Sequence, residues 1–538
     1  MRMTPVSASP VELSYAGLLS SDPRTASRAD WLYAILLVGG LTGAGVLFAY
    51  ATHSALYAYA FSYRVALLYV PVAGLLTLVL GYSRFPLAAA LFYGLLPIAQ
   101  AAHAHDFWAG ELKTALTAEM VLALPLILMG FIGPPGNHPG SSRPLPPGLK
   151  AALAAVLVAA GISTMLAREP GWALVALLAR FVLPLLVTLA TARRLRNLEE
   201  YRVIWLGFVT ATALICAFQY RRGVLGELQW YETLSQRFAG ASQSFAIPML
   251  YLVGGQLAAA LIKARRGAPA QAVFWLLLVA GFGLLMWLGA ARGPLVFFAL
   301  LVLWWVPRVL RHAYRPGVLV MFVLAGLGGL YLIQYSLTRT MLDVRLIIVR
   351  FEELLAEGPS RHNRVVVWNL ATEYWKQSPV WGIGLNNWPV EATGYESAHS
   401  LLFGLLVDMG VLGVVVFAAL FLNILMTARR SNLALPPDDW AFFQGCRAGW
   451  VTMLLCLTTN LPFTSGQPRN QIFAYTVYFF LLLVIVAYKR YPPVRAPALS
   501  ARMYSAGLYA AMQPASQFGR APGPAALSTQ ESTPPGRG

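Results

Sequence analysis

An imidazole and several guanidinium groups fall where they could act on a phosphorylated substrate. His399 sits in Ala398-His399-Ser400, at the close of a long polar segment, Ser336 to Ser397, and the chain then turns apolar. A neutral imidazole near pH 7 accepts a proton from an attacking hydroxyl and later releases it to water. The polar segment carries Arg339, Arg345, Arg350, Arg361, Arg364 and Lys376, and a connection of that length is usually functional. Arg292 lies in Gly289-Ala290-Ala291-Arg292-Gly293-Pro294, a tight turn with glycine and proline as breakers. Arg237, in Gln236-Arg237-Phe238-Ala239-Gly240, precedes another apolar run, with Arg221 and Arg222 nearby. A guanidinium presents a planar fork of donors that matches phosphate. Together these residues suit chemistry on an anionic, lipid-linked substrate. Singly, each has a plainer reading: a hydrogen-bonded helix-end histidine, an arginine snorkelling to headgroups, a solvated basic loop.

Two charges interrupt apolar runs, Arg180 and Asp408. At a rise of about 1.5 Å per residue, each would lie about 13 Å below the outer surface. Charges there are costly and pair or face a polar cavity. They fit the floor of a substrate groove or a structural ion pair equally well. His103-Ala104-His105-Asp106 reads as a plain loop rather than a metal cluster. Asp438-Asp439 falls on the opposite side from the arginine-rich segment, and Glu352-Glu353 reads as the wet face of a helix. No catalytic metal and no cofactor is expected.

The elements that must position these residues follow from composition. Hydrophobic residues make up 58% of the 538 positions and charged residues 12%. A soluble domain carries about twice that charged fraction. The chain therefore reads as an all-α, polytopic integral membrane protein. Its net charge of +18 comes in short clusters such as Lys263-Ala264-Arg265-Arg266 and Arg193-Arg194-Leu195-Arg196. Clusters between apolar runs are orientation signals, which argues against nucleic acid as a partner. Cys216, Cys446 and Cys456 all lie in apolar runs without metal or redox spacing and read as packing residues.

Counting runs of about twenty apolar residues gives about fourteen transmembrane helices. Residues 1–30 form a cytoplasmic segment with no cleavable leader, and residues 31–335 hold the first eleven spans, ending with Gly317–Tyr335. Residues 336–397 form one long periplasmic loop containing short helices. Residues 398–490 hold the last three spans, and 491–538, rich in Pro, Ala, Gly and Ser, a disordered cytoplasmic tail. Alternating the connections puts Arg84, Arg143, the Arg193–Arg202 cluster, Lys263–Arg266, Arg308–Arg315, Arg429-Arg430 and Lys489-Arg490 on one side, the cytoplasm by the positive-inside bias. Arg237, Arg292 and the long loop fall together on the other.

From Arg364 to Gly413 the chain resembles the carboxy-terminal signature of the O-antigen ligase and polysaccharide polymerase superfamily. The matching pieces are Arg364 with Trp368, Ser378-Pro379-Val380-Trp381-Gly382-Ile383-Gly384-Leu385-Asn386-Asn387-Trp388, Ala398-His399-Ser400 and Asp408-Met409-Gly410-Val411-Leu412-Gly413. Upstream, Arg237 to Pro248 and Ala290-Ala291-Arg292-Gly293 resemble two further family segments, so the likeness covers about 237–420. Ser400, Gly404, Asp408 and Ala291 depart from the residues common in the family at those places.

The resemblance implies a metal-independent glycosyl transfer at the periplasmic face of the bacterial inner membrane, in surface polysaccharide polymerisation or ligation. The donor would be a glycan on undecaprenyl pyrophosphate, and the acceptor a hydroxyl of a second glycan or a lipid core. In the family pattern the histidine activates the acceptor, a role that passes to His399. Arg237 and Arg292 would hold the diphosphate, with Arg364 assisting. Arg180 and Asp408 would support the groove that seats the polyprenyl chain within the lipid bilayer. A lipid-linked glycan flippase, or another polysaccharide transporter, is the rival reading. It accounts for many spans and buried charges but not for the gathering of Arg237, Arg292 and His399 on one face.

Overall fold

The computed structural model describes residues 28–52, 63–101, 118–132, 143–224, 239–288, 292–312, 363–388, 398, 400–432, 435–460 and 471–491. These residues form helices and no strand. In chain order they are α1 (Arg28–Thr52), α2 (Tyr63–Ser83), α3 (Phe85–Ala101), α4 (Ala118–Ile132), α5 (Pro147–Met165), α6 (Pro170–Leu177), α7 (Leu183–Arg194), α8 (Leu198–Val224), α9 (Ala239–Arg265), α10 (Pro269–Leu288), α11 (Arg292–His312), α12 (Asn363–Gln377), α13 (Leu401–Asn432), α14 (Pro437–Asn460) and α15 (Gln471–Arg490). A short π-helical turn, Leu178–Val182, joins α6 to α7. Within the described residues the apolar runs read from the sequence are largely helical; Gly317–Tyr335 lies outside them. Helix α12 is a short helix inside the long polar segment, as expected there.

The span count is corrected. Five helical stretches among the described residues are long and apolar enough to cross a membrane, rather than about fourteen: Pro147–Met165, Ala173–Arg194, Ala246–Arg265, Gly293–Arg311 and Leu401–Ser431. The difference comes from charge and from the extent of the described apolar stretches. Trp31–Ala44, Val72–Ser83, Phe85–Leu96, Leu122–Ile132 and Pro269–Leu284, within α1, α2, α3, α4 and α10, are apolar over 10–17 described residues. Helices α8 and α14 open on acidic turns, Glu199-Glu200 and Asp438-Asp439, and α14 carries Arg447 in its middle.

Helix α15 lies at the centre. Residues 474–487 along it are all buried, as expected of a helix apolar on every face. Neighbours approach closely through small residues: a methyl at Gly254 of α9 would lie 2.2 Å from the carbonyl of Gly445 on α14, so the two backbones touch where only glycine fits. The periphery is apolar. Val411, Val415, Leu422 and Met426 recur on one face of α13 and are exposed, a surface suited to lipid rather than water.

The two ends of the bundle differ. At one end Arg202 meets Asp439 at 2.8 Å, Arg266 donates to Asp438 at 2.7 Å, and Tyr491 donates to Asp439 at 2.6 Å. Arg143 donates to the Tyr488 carbonyl at 3.0 Å, and Arg194 lies over the Phe85 ring, 5.1 Å from its centroid. These contacts gather the starts of α3, α8 and α14 and the ends of α7, α9 and α15. Arg143 just ahead of α5 adds that helix's start. The basic clusters from separate connections thus converge on one end, as the charge pattern requires.

Candidate functional site

At the opposite end, α13 is broken. Gly410 has φ +64° and ψ −163°, so α13 consists of a short half, 401–409, and a long half from Val411 onward. A break exposes carbonyls at the end of one half and N–H groups at the start of the next, and away from water each needs a partner. The turn after α12 supplies most of them. The Ile383 N–H donates to the Val407 carbonyl at 2.7 Å; the carbonyls of Pro379 and Val380 accept from Val411 and Leu412 at 2.9 and 3.2 Å. The Asp408 carbonyl accepts from the Ser163 hydroxyl of α5 at 2.6 Å.

Glycine is obligatory on both sides of this seam. Gly382 has φ +74°, and a methyl there would lie 2.5 Å from the Asp408 and Met409 backbone. At Gly410 a methyl would lie 2.2 Å from the Val380 carbonyl oxygen. Gly384 (φ +105°) and Asn386 (φ +62°) continue the left-handed alternation, and the Asn387 amide closes the turn on the Ile383 carbonyl at 2.7 Å. Gly410 is required both by its backbone angle and by the close approach of the Val380 carbonyl.

Helix α12 roofs the short half. Trp368 stacks on Phe403 with centroids 5.4 Å apart, and Ala371, Ala398 and Val407 are buried together beside Tyr374 and Trp388. Ser400 starts α13. Its fully buried hydroxyl donates to the Thr458 carbonyl near the end of α14 at 2.6 Å and accepts from the Phe403 N–H at 3.4 Å.

Of the residues expected to act, His399 and Arg237 lie outside the described residues, as do His103 to Asp106 and Glu352-Glu353. Ala398 and Ser400, the sequence neighbours of position 399, are buried and anchored as above. Arg292 is the first residue of α11. Since α10 follows directly on Arg266 at the basic end, α11 opens at the other end of the bundle, as α13 does. Arg364, the second residue of α12, is half-buried.

Arg180 and Asp408 are both buried, 2% and 4% exposed, and Asp408 is the charged group that acts electrostatically on Arg180. Arg180 sits within the π-turn. Pro184 has no N–H and its ring crowds the carbonyl four residues back, that of Arg180; the Leu183 N–H bonds instead to Leu178, five residues back. Asp408 meets Ser163, two residues from the end of α5, so the break stands level with a helix end.

Ser163 and the backbone of 379–383 were not legible as site elements, although Gly161-Ile162-Ser163-Thr164 is a small, partly polar patch at the end of an apolar run. No curated protein matches the chain. Residues 269–418 match the family model described as O-antigen ligase, a stretch that holds Arg292, Arg364, α12, the glycine turn and the break in α13. This match supports membership of the chain in the O-antigen ligase and polymerase superfamily.

Proposed function

We propose that the protein transfers a glycan from an undecaprenyl-pyrophosphate-linked donor to an acceptor sugar hydroxyl at the periplasmic face of the bacterial inner membrane. His399 takes the proton of the acceptor hydroxyl as its oxygen bonds to the donor's anomeric carbon. The bond from that carbon to the phosphate oxygen breaks, and its electron pair leaves with the pyrophosphate. His399 then returns the proton to water. Pyrophosphate is already a good leaving group, so its growing charge needs electrostatic stabilisation more than protonation. Arg237 and Arg292 supply that as charge-assisted, two-pronged donors, with Arg364 assisting and no metal required. The next repeat unit or a lipid core serves as acceptor.

The observation that carries this reading is the family match over 269–418, which brackets the start of α11 and the seam that braces the start of α13. The test is transfer by the purified full-length chain with lipid-linked glycan in detergent, with and without chelator. Transfer that survives chelator and falls at least about a hundredfold in His399→Ala, the scale of a lost general base, is expected. Normal transfer by His399→Ala overturns the assignment of the base, and loss on chelation overturns the metal-free chemistry. Donor flipping in vesicles without any transfer favours the transporter.

A further inference from the structure

Hydroxyls in these helices mostly fold back on their own turn: Thr164 donates to Ala160 at 2.8 Å and Thr427 to Asn423 at 2.7 Å. Ser163 does not. Buried near the end of α5, it donates out of its helix to the Asp408 carbonyl at 2.6 Å, and its own carbonyl accepts from the Leu385 N–H at 3.2 Å. One residue of the amino-terminal half, outside the stretch matched to the family, thereby holds both the short half-helix and the glycine turn docked on it.

We propose that Ser163 is a positioning residue for the transfer reaction. The inference rests on the function proposed above. The short half of α13 is gripped at each end by a hydroxyl on a carbonyl, Ser400 on Thr458 and Ser163 on Asp408, both at 2.6 Å. Its amino-terminal end follows directly on position 399. The Gly382–Leu412 seam keeps its backbone hydrogen bonds without Ser163, so removing the hydroxyl leaves the fold intact and frees the half-helix to shift. Catalysis is far more sensitive to such a shift than folding is, since a displacement of about 1 Å can cost about a hundredfold in rate.

The test uses the purified full-length chain with Ser163→Ala, Ser163→Thr and Ser163→Cys. Turnover, KM for the lipid-linked donor, the thermal midpoint and hydrogen exchange over 378–412 are measured for each. Ser163→Ala should lower kcat about tenfold, the scale of one hydrogen bond, with KM within about twofold of the parent by the logic of an interaction used only in the transition state. Its midpoint should stay near that of the parent while exchange over 378–412 quickens. Ser163→Thr, which keeps the hydroxyl, should recover most of the turnover; should its added methyl unfold the chain, the near-isosteric Ser163→Cys should recover part of it. Parental turnover in Ser163→Ala overturns the proposal, as does a loss that tracks a fall in midpoint and is rescued by neither variant. If the parent chain transfers no glycan, the functional reading fails by itself. Unchanged exchange over 378–412 in Ser163→Ala would then overturn the positioning role separately.

Discussion

Among the described residues at this end, the buried charges are a guanidinium and a carboxylate from segments more than two hundred positions apart. Asp408 is the counter-charge for Arg180, and both are nearly inaccessible. Removing one member of such a pair leaves the other charge buried alone, which costs about 3–5 kcal/mol, while replacing both can be close to neutral. Asp408→Asn should therefore lower unfolding stability in detergent by that amount, and Asp408→Asn combined with Arg180→Met should regain most of it. Additive losses in the two single variants and the double would show that the two charges act independently. The sequence marked both residues correctly as charges within apolar runs. It could not say that Asp408 acts on Arg180, because the π-turn at Leu178–Val182 rotates Arg180 by an amount that periodicity does not predict.

Among the elements, α13 shows where sequence reasoning runs out. His399–Leu422 reads as one continuous apolar span, and its residues from Leu401 onward form helix on either side of Gly410. The break at Gly410 depends on partners that are distant in sequence, Pro379 to Ile383 and Ser163, and an apolar pattern carries no record of them. The span count came out high because apolar composition also marks α8 and α14, which open on acidic turns. The turn itself was legible, since Gly382-Ile383-Gly384-Leu385-Asn386 alternates residues that tolerate positive φ. Gly410→Ala and Gly382→Ala should each cost about 2–5 kcal/mol, combining left-handed strain with overpacking against backbone that cannot move aside. Gly161→Ala, whose methyl meets nothing within 4 Å, should instead gain about 0.5–1 kcal/mol. Thermal unfolding of the three variants decides this, and a Gly410→Ala protein as stable as the parent would contradict the account of the break.

For the whole molecule, polarity is the organising feature. Helices packed around α15 bring the basic clusters to one end, through Arg143, Arg194, Arg202 and Arg266. At the other end stand the starts of α11 and α13, the α12 roof and the glycine seam. Net charge and its clustering were legible at this scale, because orientation signals are local in sequence. The proposed chemistry requires Arg292 and His399 to share a side opposite the basic end. The most direct measurement is labelling by a membrane-impermeant maleimide in right-side-out and inverted vesicles, in a chain whose native cysteines are replaced. Single cysteines are placed at positions 266, 292 and 399. Labelling of 292 and 399 from the outer side, with 266 reached only from the cytoplasmic side, is predicted; labelling of 292 and 399 from opposite sides would contradict a shared catalytic site.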